Sequence, residues 1–367
     1  MNTTANPLRI CMLTYSLDEK RGGGRFVQGI LNELRVDERV TVEVLTSLPS
    51  NAPDEDACLP PNIFGLLVNL PKIRRKMRHA DVVHAIDLFP FGFIAVFASM
   101  GLRKKILLTA IGSASVQPLY RTGLSLLSKY VYRRANITTA ISGYVARLIR
   151  TKVPNLPVRV IIPGIAYHYF ASRTTETVHK PARPFILSVA KVKPRKGLEV
   201  SLRAFAHVAR VRSDMDYLIV GVCEGQYFIE IKELTARLGI TERVQFLERI
   251  SDEELVRLYR TAELFLLLPQ NVDNDIEGFG LVFVEAAAFG LPVIGTLESG
   301  AEDAVLDGKN GYLVPPTDSD QAAEKMLAII ENPELRERLS RASVAFAKAC
   351  DWKNKITEYS ELYELLR

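Results

Sequence analysis

Residues 277–294 read EGFGLVFVEAAAFGLPVI and carry the strongest structural signal in this chain. A glycine turn between Glu277 and Glu285 leads into an apolar helix, a Gly-Leu-Pro stop and the start of an apolar strand. If the helix begins near Leu281, the amides of Leu281 and Val282 point out of its N-terminus, where an anion binds. A glutamate near a helix start also favours the helix dipole, but that role explains neither the glycine turn nor a carboxylate, Glu285, among apolar neighbours.

Outside this stretch, short apolar or β-branched runs alternate with helix-length amphipathic segments, which is typical of parallel sheets with crossover helices. The first series of predicted strands breaks at Pro163-Gly164, and a second series follows the polar stretch 172–184. We therefore predict an α/β fold with two doubly wound domains and three closing helices near 320–330, 333–348 and 353–366. The predicted strands are 9–14, 41–45, 81–84, 106–109, 137–140 and 158–162, then 184–189, 217–220, 244–246, 264–268, 292–295 and 312–314.

Composition and length agree with two folded domains. The 367 residues are 48% hydrophobic and 24% charged, with a mean hydropathy of +0.07, which excludes a disordered or fibrous chain. The four cysteines are far apart and indicate neither a zinc site nor a disulfide framework, which fits a reducing cytosol. No signal peptide is recognisable, and the most apolar stretch, 88–102, is too short and too interrupted to cross a bilayer. We expect a cytoplasmic protein, soluble or peripheral on the inner face of the membrane.

Charge is divided unevenly along the chain. Residues 1–165 carry a net +11 and the remainder −6, and twelve Lys and Arg but no acid lie between Asp87 and Glu176. This asymmetry predicts an anionic partner for the N-terminal half: nucleic acid, an anionic membrane surface or a phosphorylated ligand. A solvated basic face is the alternative.

Two further loops follow predicted strands, where open α/β sheets bind ligands. Arg21-Gly-Gly-Gly-Arg25 precedes a helix that we expect to start near Phe26, and its glycines would let the backbone approach a phosphate. A plain flexible turn explains it as well. Residues 188–197, SVAKVKPRKG, gather four cations on one turn, a placement that suits a diphosphate, although exposed loop lysines are commonly only solubilising.

Taken together, these motifs resemble the retaining nucleotide-sugar glycosyltransferases of family 4, also called glycosyltransferase group 1, which share the two-Rossmann-domain GT-B architecture. The Glu277/Glu285 motif is the most specific mark, and the Lys191/Lys196-Gly197 loop, Gly221 to Gly225 and Ser299-Gly-Ala-Glu302 follow in the family's order. The resemblance implies two domains that face a cleft, with a final Trp352-containing helix crossing back to the first. The domains would be 1–170 for the acceptor, joined by 353–367, a linker at 171–184, and 185–350 for the nucleotide sugar.

The resemblance also assigns roles to residues. Glu285 would hold the ribose hydroxyls, and Glu277 with the turn Gly278, Phe279, Gly280 would contact the transferred sugar, beside the amides of Leu281 and Val282. Lys191 and Lys196, with Arg195, would grip the diphosphate, and the loop of Gly22, Gly23 and Gly24 would close over it. Glu277, Lys191 and Lys196 are the expected catalytic residues. On the acceptor side we select His84, Asp87 and Arg121, although a strand-end histidine such as His84 is more often a packing residue.

The sequence departs from the family at three places, one of which is Pro163-Gly164, where the family usually has an asparagine after the proline. Lys191 stands where the family usually has Arg, which keeps the charge but loses bidentate geometry. Ile111 stands where the family usually has a histidine beside the donor sugar.

We therefore predict a glycosyltransferase that moves a sugar from a UDP- or GDP-sugar to a glycan or lipid-linked, anionic acceptor in cell-surface polysaccharide or glycolipid synthesis. It would use no cofactor and no metal, because fixed cations and helix amides can stabilise the departing diphosphate. Asp-x-Asp pairs, which hold metals in other glycosyltransferases, occur at four unrelated places and single out none. The alternative is a catalytically silent GT-B protein that binds a sugar nucleotide or a protein partner. Nucleic acid is not expected, because the bases do not interleave with aromatics in a recognisable module.

Overall fold

The predicted alternation of strands and helices is present in the computed structural model, which describes residues 7–19, 21–50, 52, 55–60, 62–173 and 182–367. The chain divides into two units, Met1–Gly164 with Trp352–Arg367, and Ile165–Asp351. The sequence analysis placed the end of the first domain at residue 170. In the structure, residues 165–170 belong to the second unit instead. Of the predicted linker, residues 174–181 lie outside the described residues.

The first unit is built on one parallel sheet. Within the described residues its strand order is β3-β2-β1-β4-β5-β6-β7, and the order reverses direction between β1 and β4. The strands are β1 (Leu8–Thr14), β2 (Val40–Thr46), β3 (Glu55–Asp56), β4 (Val82–Ile86), β5 (Lys105–Ala110), β6 (Ile137–Ala140) and β7 (Val158–Val160). The helices are α1 (Gly22–Leu34), α2 (Ile63–His79), α3 (Phe93–Ala98), α4 (Ser113–Tyr120), α5 (Ser125–Arg134) and α6 (Gly143–Lys152), with the last helix of the chain, α14 (Trp352–Leu366), belonging to this unit.

The second unit repeats the same plan. Its described strands form a parallel sheet in the order β10-β9-β8-β11-β12-β13, which reverses between β8 and β11. The strands are β8 (Phe185–Val189), β9 (Asp216–Val220), β10 (Val244–Leu247), β11 (Leu264–Leu266), β12 (Val293–Thr296) and β13 (Gly311–Val314). The helices are α7 (Tyr167–Ala171), α8 (Leu198–Val211), α9 (Gln226–Arg237), α10 (Asp252–Thr261), α11 (Leu281–Ala288), α12 (Ser319–Glu331) and α13 (Pro333–Ala349).

Each sheet therefore has a switch point at which ligands of doubly wound folds bind, beyond the carboxyl ends of the strands. In the first unit that point lies after β1 and β4, and in the second after β8 and β11. The strands are apolar on both faces because helices cover both sides; Val82 to Ile86 in β4, for example, are all buried. The two-domain α/β prediction is confirmed.

One local prediction was wrong, and one short strand was not predicted. The segment after β1 is not a glycine loop before a helix at Phe26, because α1 already begins at Gly22 and Arg25 N–H donates to Arg21 O (2.9 Å). Glycine disfavours helices on average, but Gly24 packs so closely on Asp18 that a Cβ would lie 2.1 Å from the Asp18 carbonyl oxygen. The two-residue strand β3 was missed because it is too short for a pattern of alternation.

No helix among the described residues is both long enough and apolar enough to cross a membrane.

Candidate functional site

The loop after β8 is fixed by close packing against the segment after β11. Pro194–Lys196 form one 3-10 turn, and Gly197 follows with φ +65°. A Cβ on Gly197 would lie 1.7 Å from the Leu268 carbonyl oxygen, so only glycine fits here. Gln270 N–H also donates to Arg195 O (2.8 Å). The cationic loop therefore has one fixed position at the switch point of the second sheet.

That position brings Glu277 together with Arg195 and Lys196. Arg195 Nη1 donates to Glu277 Oε2 at 2.8 Å, and Lys196 Nζ donates to the same oxygen. Arg195 Nε also lies 3.4 Å from Asp275 Oδ1. The side chains of Lys196 and Glu277 are each only 11% exposed. Burial alone would raise the pKa of Glu277, but Lys196 and Arg195 hold it below its usual value. The cluster is therefore a buried carboxylate kept ionised by two cations.

Lys191 is not part of this cluster. Its Nζ forms an ion pair with Glu224, and both side chains are substantially exposed. The sequence placed Lys191 and Lys196 in one grip on a diphosphate, whereas in the structure Lys196 is buried against Glu277 and Lys191 is held at the surface.

The glycine turn Gly278–Gly280 connects Glu277 to α11. Gly280 has φ +84°, and a Cβ there would lie 2.7 Å from Phe283 Cδ2. The turn is also held by Gly300, whose N–H donates to Glu277 O (3.0 Å) and which leaves no room for a Cβ against Gly278. The predicted helix start at Leu281 is confirmed.

The start of α11 presents backbone rather than side-chain groups. The N-cap residue, Gly280, has no side chain that could cap this N-terminus, and Leu281 and Val282 are partly exposed. Their amides are thus placed to receive an anion. Phe279 is buried, so its ring packs in the core and only its backbone faces the turn. Glu285 lies one turn into α11 and is 3% exposed, between Val284 and Ala286.

In the first unit, Asp87 and the glycines of α1 come together at the carboxyl edge of the sheet. Asp87 follows β4 with φ 74°, and its Oδ1 accepts from Ser115 Oγ (2.6 Å) and from Ile111 N–H (3.2 Å). Ile111 Cδ1 in turn lies 3.3 Å from where a Cβ on Gly23 would be. Loss of water around the Asp87 carboxyl raises its pKa to about 6. The switch point of this sheet therefore holds one carboxyl group beside the first turn of α1.

The other two acceptor-side candidates lie elsewhere. His84 is fully buried in β4, with Nδ1 2.8 Å from Tyr363 Oη and Nε2 2.7 Å from Thr109 Oγ1. Its ring therefore packs between the sheet and α14 and offers no surface to a ligand, which is the packing role that the sequence left open. Arg121 is exposed directly after α4.

Two family models match the chain, Glycosyltransferase Family 4 over residues 20–168 and Glycosyl transferases group 1 over residues 174–345. Between them they span most of the sequence, one model for each unit. The chain belongs to the family 4 (group 1) glycosyltransferases. It is accordingly a glycosyltransferase, as predicted, and the silent alternative is not supported.

Relatives and solved structures agree with this assignment. A GDP-mannose-dependent alpha-(1-6)-phosphatidylinositol monomannoside mannosyltransferase of Mycolicibacterium smegmatis is 27% identical over 81% of this chain and 81% of its own length. A glycosyltransferase of Rickettsia africae superposes with a TM-score of 0.77 at 18% identity, covering 99% of both chains. Anabaena HepE, solved in complex with UDP-glucose, gives 0.78 at 19% identity over 97% of this chain and 99% of its own. At these identities the structures show the shared GT-B fold.

Sequence reasoning about this glycosyltransferase missed three residues that hold the site together. Asp275 lies beside Arg195, Glu224 pairs with Lys191, and Ser115 donates to Asp87. Asp275 belongs to one of the four Asp-x-Asp pairs, a pattern too common to select it. Glu224 lies within the Gly221–Gly225 motif and Ser115 lies in none, but no pattern predicts the partner of either residue, because the partner depends on which loops meet at a sheet edge.

Proposed function

We propose that this glycosyltransferase is a retaining, metal-independent enzyme whose second unit binds a nucleoside-diphosphate sugar. The observation that carries the proposal is the buried cluster of Arg195, Lys196 and Glu277 at the switch point of the second sheet. A glycosyl–phosphate bond breaks through an oxocarbenium-like state while negative charge grows on the diphosphate. Lys196, Arg195 and the amides of Leu281 and Val282 stabilise that charge, and Lys191 supplies a further cation at the rim.

Glu277 acts on the sugar in this proposal. Its Oε2 is engaged by the two cations, and no donor among the described residues reaches Oε1. Oε1 accepts a hydrogen bond from a hydroxyl of the transferred sugar, and the close-packed turn before α11 fixes the carboxylate in place. Glu285 accepts from the ribose hydroxyls.

The acceptor binds the first unit and is an anionic glycan or lipid-linked saccharide. Two observations support this: the acid-free basic stretch after Asp87, and the relative whose name specifies a phosphatidylinositol monomannoside. Asp87 has Oδ1 engaged by Ser115 and Ile111, and it accepts a hydrogen bond from the acceptor hydroxyl. Arg121, exposed directly after α4, contributes positive charge to the acceptor-binding unit. Because relatives and neighbours are named with GDP-mannose and with UDP-glucose, the donor is a UDP- or GDP-sugar.

A thermal-shift series with UDP, GDP, ADP, CDP and dTDP tests the donor site. A ligand that binds only the folded state raises the melting temperature by mass action, so one base should give a clearly larger shift than the others. The matching sugar nucleotides then serve as donors in transfer and hydrolysis assays.

The decisive variant is Glu277→Gln, with Glu337→Gln as its control. Glu337 lies on α13 in an exposed pair with Arg341, so the same substitution there should leave turnover unchanged. Glu277→Gln should lower kcat on the order of 100-fold while the diphosphate still shifts the melting temperature. Turnover that is equal in both variants, or no turnover of any nucleotide sugar by the unmodified protein, would reject the proposal.

A further inference from the structure

One helix of the first unit carries an apolar stripe that no other element of the described residues covers. On α2, Phe64, Leu67 and Val68 are 76%, 62% and 63% exposed. At 100° per residue these three positions lie on one face, whereas Ile73 and Met77, on the opposite face, are fully buried against the sheet. Large apolar side chains grouped in this way mark an interaction surface.

The same stripe becomes cationic in the second half of α2. Arg75 and Arg78 continue the face of Phe64 and Val68, and both are exposed with no acidic partner among the described residues. The lysines of this helix point elsewhere: Lys72 and Lys76 pair with Asp56, and Lys76 also with Glu43. Internal acids thus neutralise the lysines, and the outward arginines stay available.

A second helix on the same side of the sheet repeats this arrangement. On α5, Leu126 and Tyr130 are exposed, and Arg133 and Arg134 follow on the same face without an acidic partner among the described residues. The helices α2 and α5 both lead into strands of one parallel sheet, so they run in the same direction. The apolar halves of both stripes therefore lie toward the edge of the sheet that carries Asp87.

The helix between them joins the two stripes into one surface. α3 contacts α2 and α5. Arg74 of α2 donates to Ala98 O (2.6 Å) and Met100 O (3.0 Å) at the end of α3, and Phe97 stacks on Tyr130 with ring centroids 6.2 Å apart. Phe97 and Met100 are themselves exposed.

We propose that this α2–α3–α5 face docks on an anionic lipid bilayer. Apolar side chains flanked by arginines on helices that lie along a surface match the interface between acyl chains and anionic headgroups. A second copy of the chain that docked through the same face would have to supply acids for the four arginines, but neither α2 nor the stretch between Asp87 and Glu176 contains one. An anionic bilayer supplies that negative charge at its headgroups. The inference rests on the proposed function only in one respect: the bilayer is the source of the lipid-linked acceptor.

Sedimentation of the full chain with vesicles tests the docking. We expect binding to phosphatidylcholine vesicles that contain phosphatidylglycerol, little binding to phosphatidylcholine alone, and release at high salt. Arg75→Gln with Arg78→Gln should weaken binding about 25-fold, at roughly fivefold for each arginine. Phe64→Ser with Leu67→Ser should weaken it about tenfold or more, because the apolar insertion is lost.

The matched control combines Arg210→Gln with Ile229→Ser, an exposed arginine and an exposed apolar residue of the second unit. It should bind vesicles like the unmodified protein. All substituted side chains are exposed, so circular dichroism should show an unchanged fold for each variant. Absence of binding to anionic vesicles at low salt, binding that the α2 variants do not alter, or dimerisation that they abolish would each overturn the inference.

A second readout separates this inference from the proposed function. Hydrolysis of the donor in the absence of vesicles should be the same in the arginine variant and in the unmodified protein, and Glu277→Gln should still sediment with vesicles. If the unmodified protein hydrolyses the donor but does not bind vesicles, the docking inference fails. If it binds vesicles but hydrolyses no donor, the proposed function fails.

Discussion

Two lysines that are five positions apart in one loop have different surroundings. Lys196 is buried against Glu277, and burial lowers its pKa while the carboxylate opposes that change. Lys191 forms an exposed pair with Glu224. Lys196 directly precedes Gly197, whose left-handed conformation and close approach to the Leu268 carbonyl oxygen fix the end of this loop against the segment after β11. Charge alone therefore does not define what either residue contributes.

We predict that Lys196→Ala lowers the free energy of unfolding by about 3 kcal/mol, because it leaves the buried Glu277 with Arg195 alone. Lys191→Ala is the matched control. It removes an exposed ion pair and should cost no more than about 1 kcal/mol. Urea denaturation of both variants measures the difference. Equal losses would mean that the Lys196–Glu277 contact does not stabilise the fold.

Among the elements, α14 is anchored to the first sheet through buried polar groups. His84 of β4 contacts Tyr363 of α14 and Thr109 of β5, and Thr109 contacts Thr139 of β6 at 2.7 Å. Burial lowers the pKa of His84 to about 3 from its ordinary 6.5. The imidazole is thus neutral in the folded protein.

This anchor predicts a loss of stability in acid. Below pH 6.5 the unfolded chain protonates His84 whereas the folded protein does not, so folding weakens as the pH falls toward 3. Between pH 7 and pH 5, protonation of His84 in the unfolded chain should lower the free energy of unfolding by about 2 kcal/mol. The His84→Gln variant should lack this part of the pH dependence.

The raised pKa of Asp87 acts in the opposite direction, because the folded protein binds that proton more readily. Asp87 is present in both the unmodified protein and the His84→Gln variant. The difference between the pH dependences of their unfolding free energies therefore reports on His84 alone. Denaturation curves at several pH values provide the measurement. Parallel slopes in the two proteins would show that His84 is protonated as easily when folded as when unfolded.

At the scale of the whole molecule, the first unit combines the N-terminal part of the chain with its last helix, α14. Trp352 at the start of α14 packs on two glycines: a Cβ on Gly29 would lie 1.9 Å from Trp352 Nε1, and one on Gly164 would lie 2.7 Å from Cδ2. Phe26 of α1 lies against the same indole, with centroids 5.7 Å apart. The second unit has its own core around β8, β9, α8 and α12.

We therefore predict that Trp352→Ala destabilises the first unit by about 3–5 kcal/mol, since a large buried ring is replaced by a cavity. Leu365→Ala on the exposed face of α14 is the control and should change stability by less than about 0.5 kcal/mol. Hydrogen exchange should rise in β1, β4 and α1 and stay unchanged in β8 and β9. A uniform rise in both units would contradict separate cores.

The sequence predicted the features that local signals define and missed those that contacts between separate segments decide. The two series of strands and the helix start at Leu281 are correct, because apolar periodicity and the glycine turn are local signals. The start of α1 was misplaced, since helix propensity gives no information on the contact between Gly24 and Asp18. Likewise, the sequence selected His84 and Phe279 as candidate site residues. Only their burial in the structure shows that their side chains pack in cores.

By itself, the sequence determined the α/β class, the family and the loops in which the chemistry lies, because these depend on residue types at fixed spacings along the chain. The tertiary structure decided which side chains of those loops meet. It placed Lys196 and not Lys191 against Glu277, fastened Asp87 to Ser115, and set the exposed stripes of α2 and α5 on one side of a sheet. The physical reason is that parallel strands bring loops and helices from distant parts of the chain to the same edge, and no local pattern records that proximity.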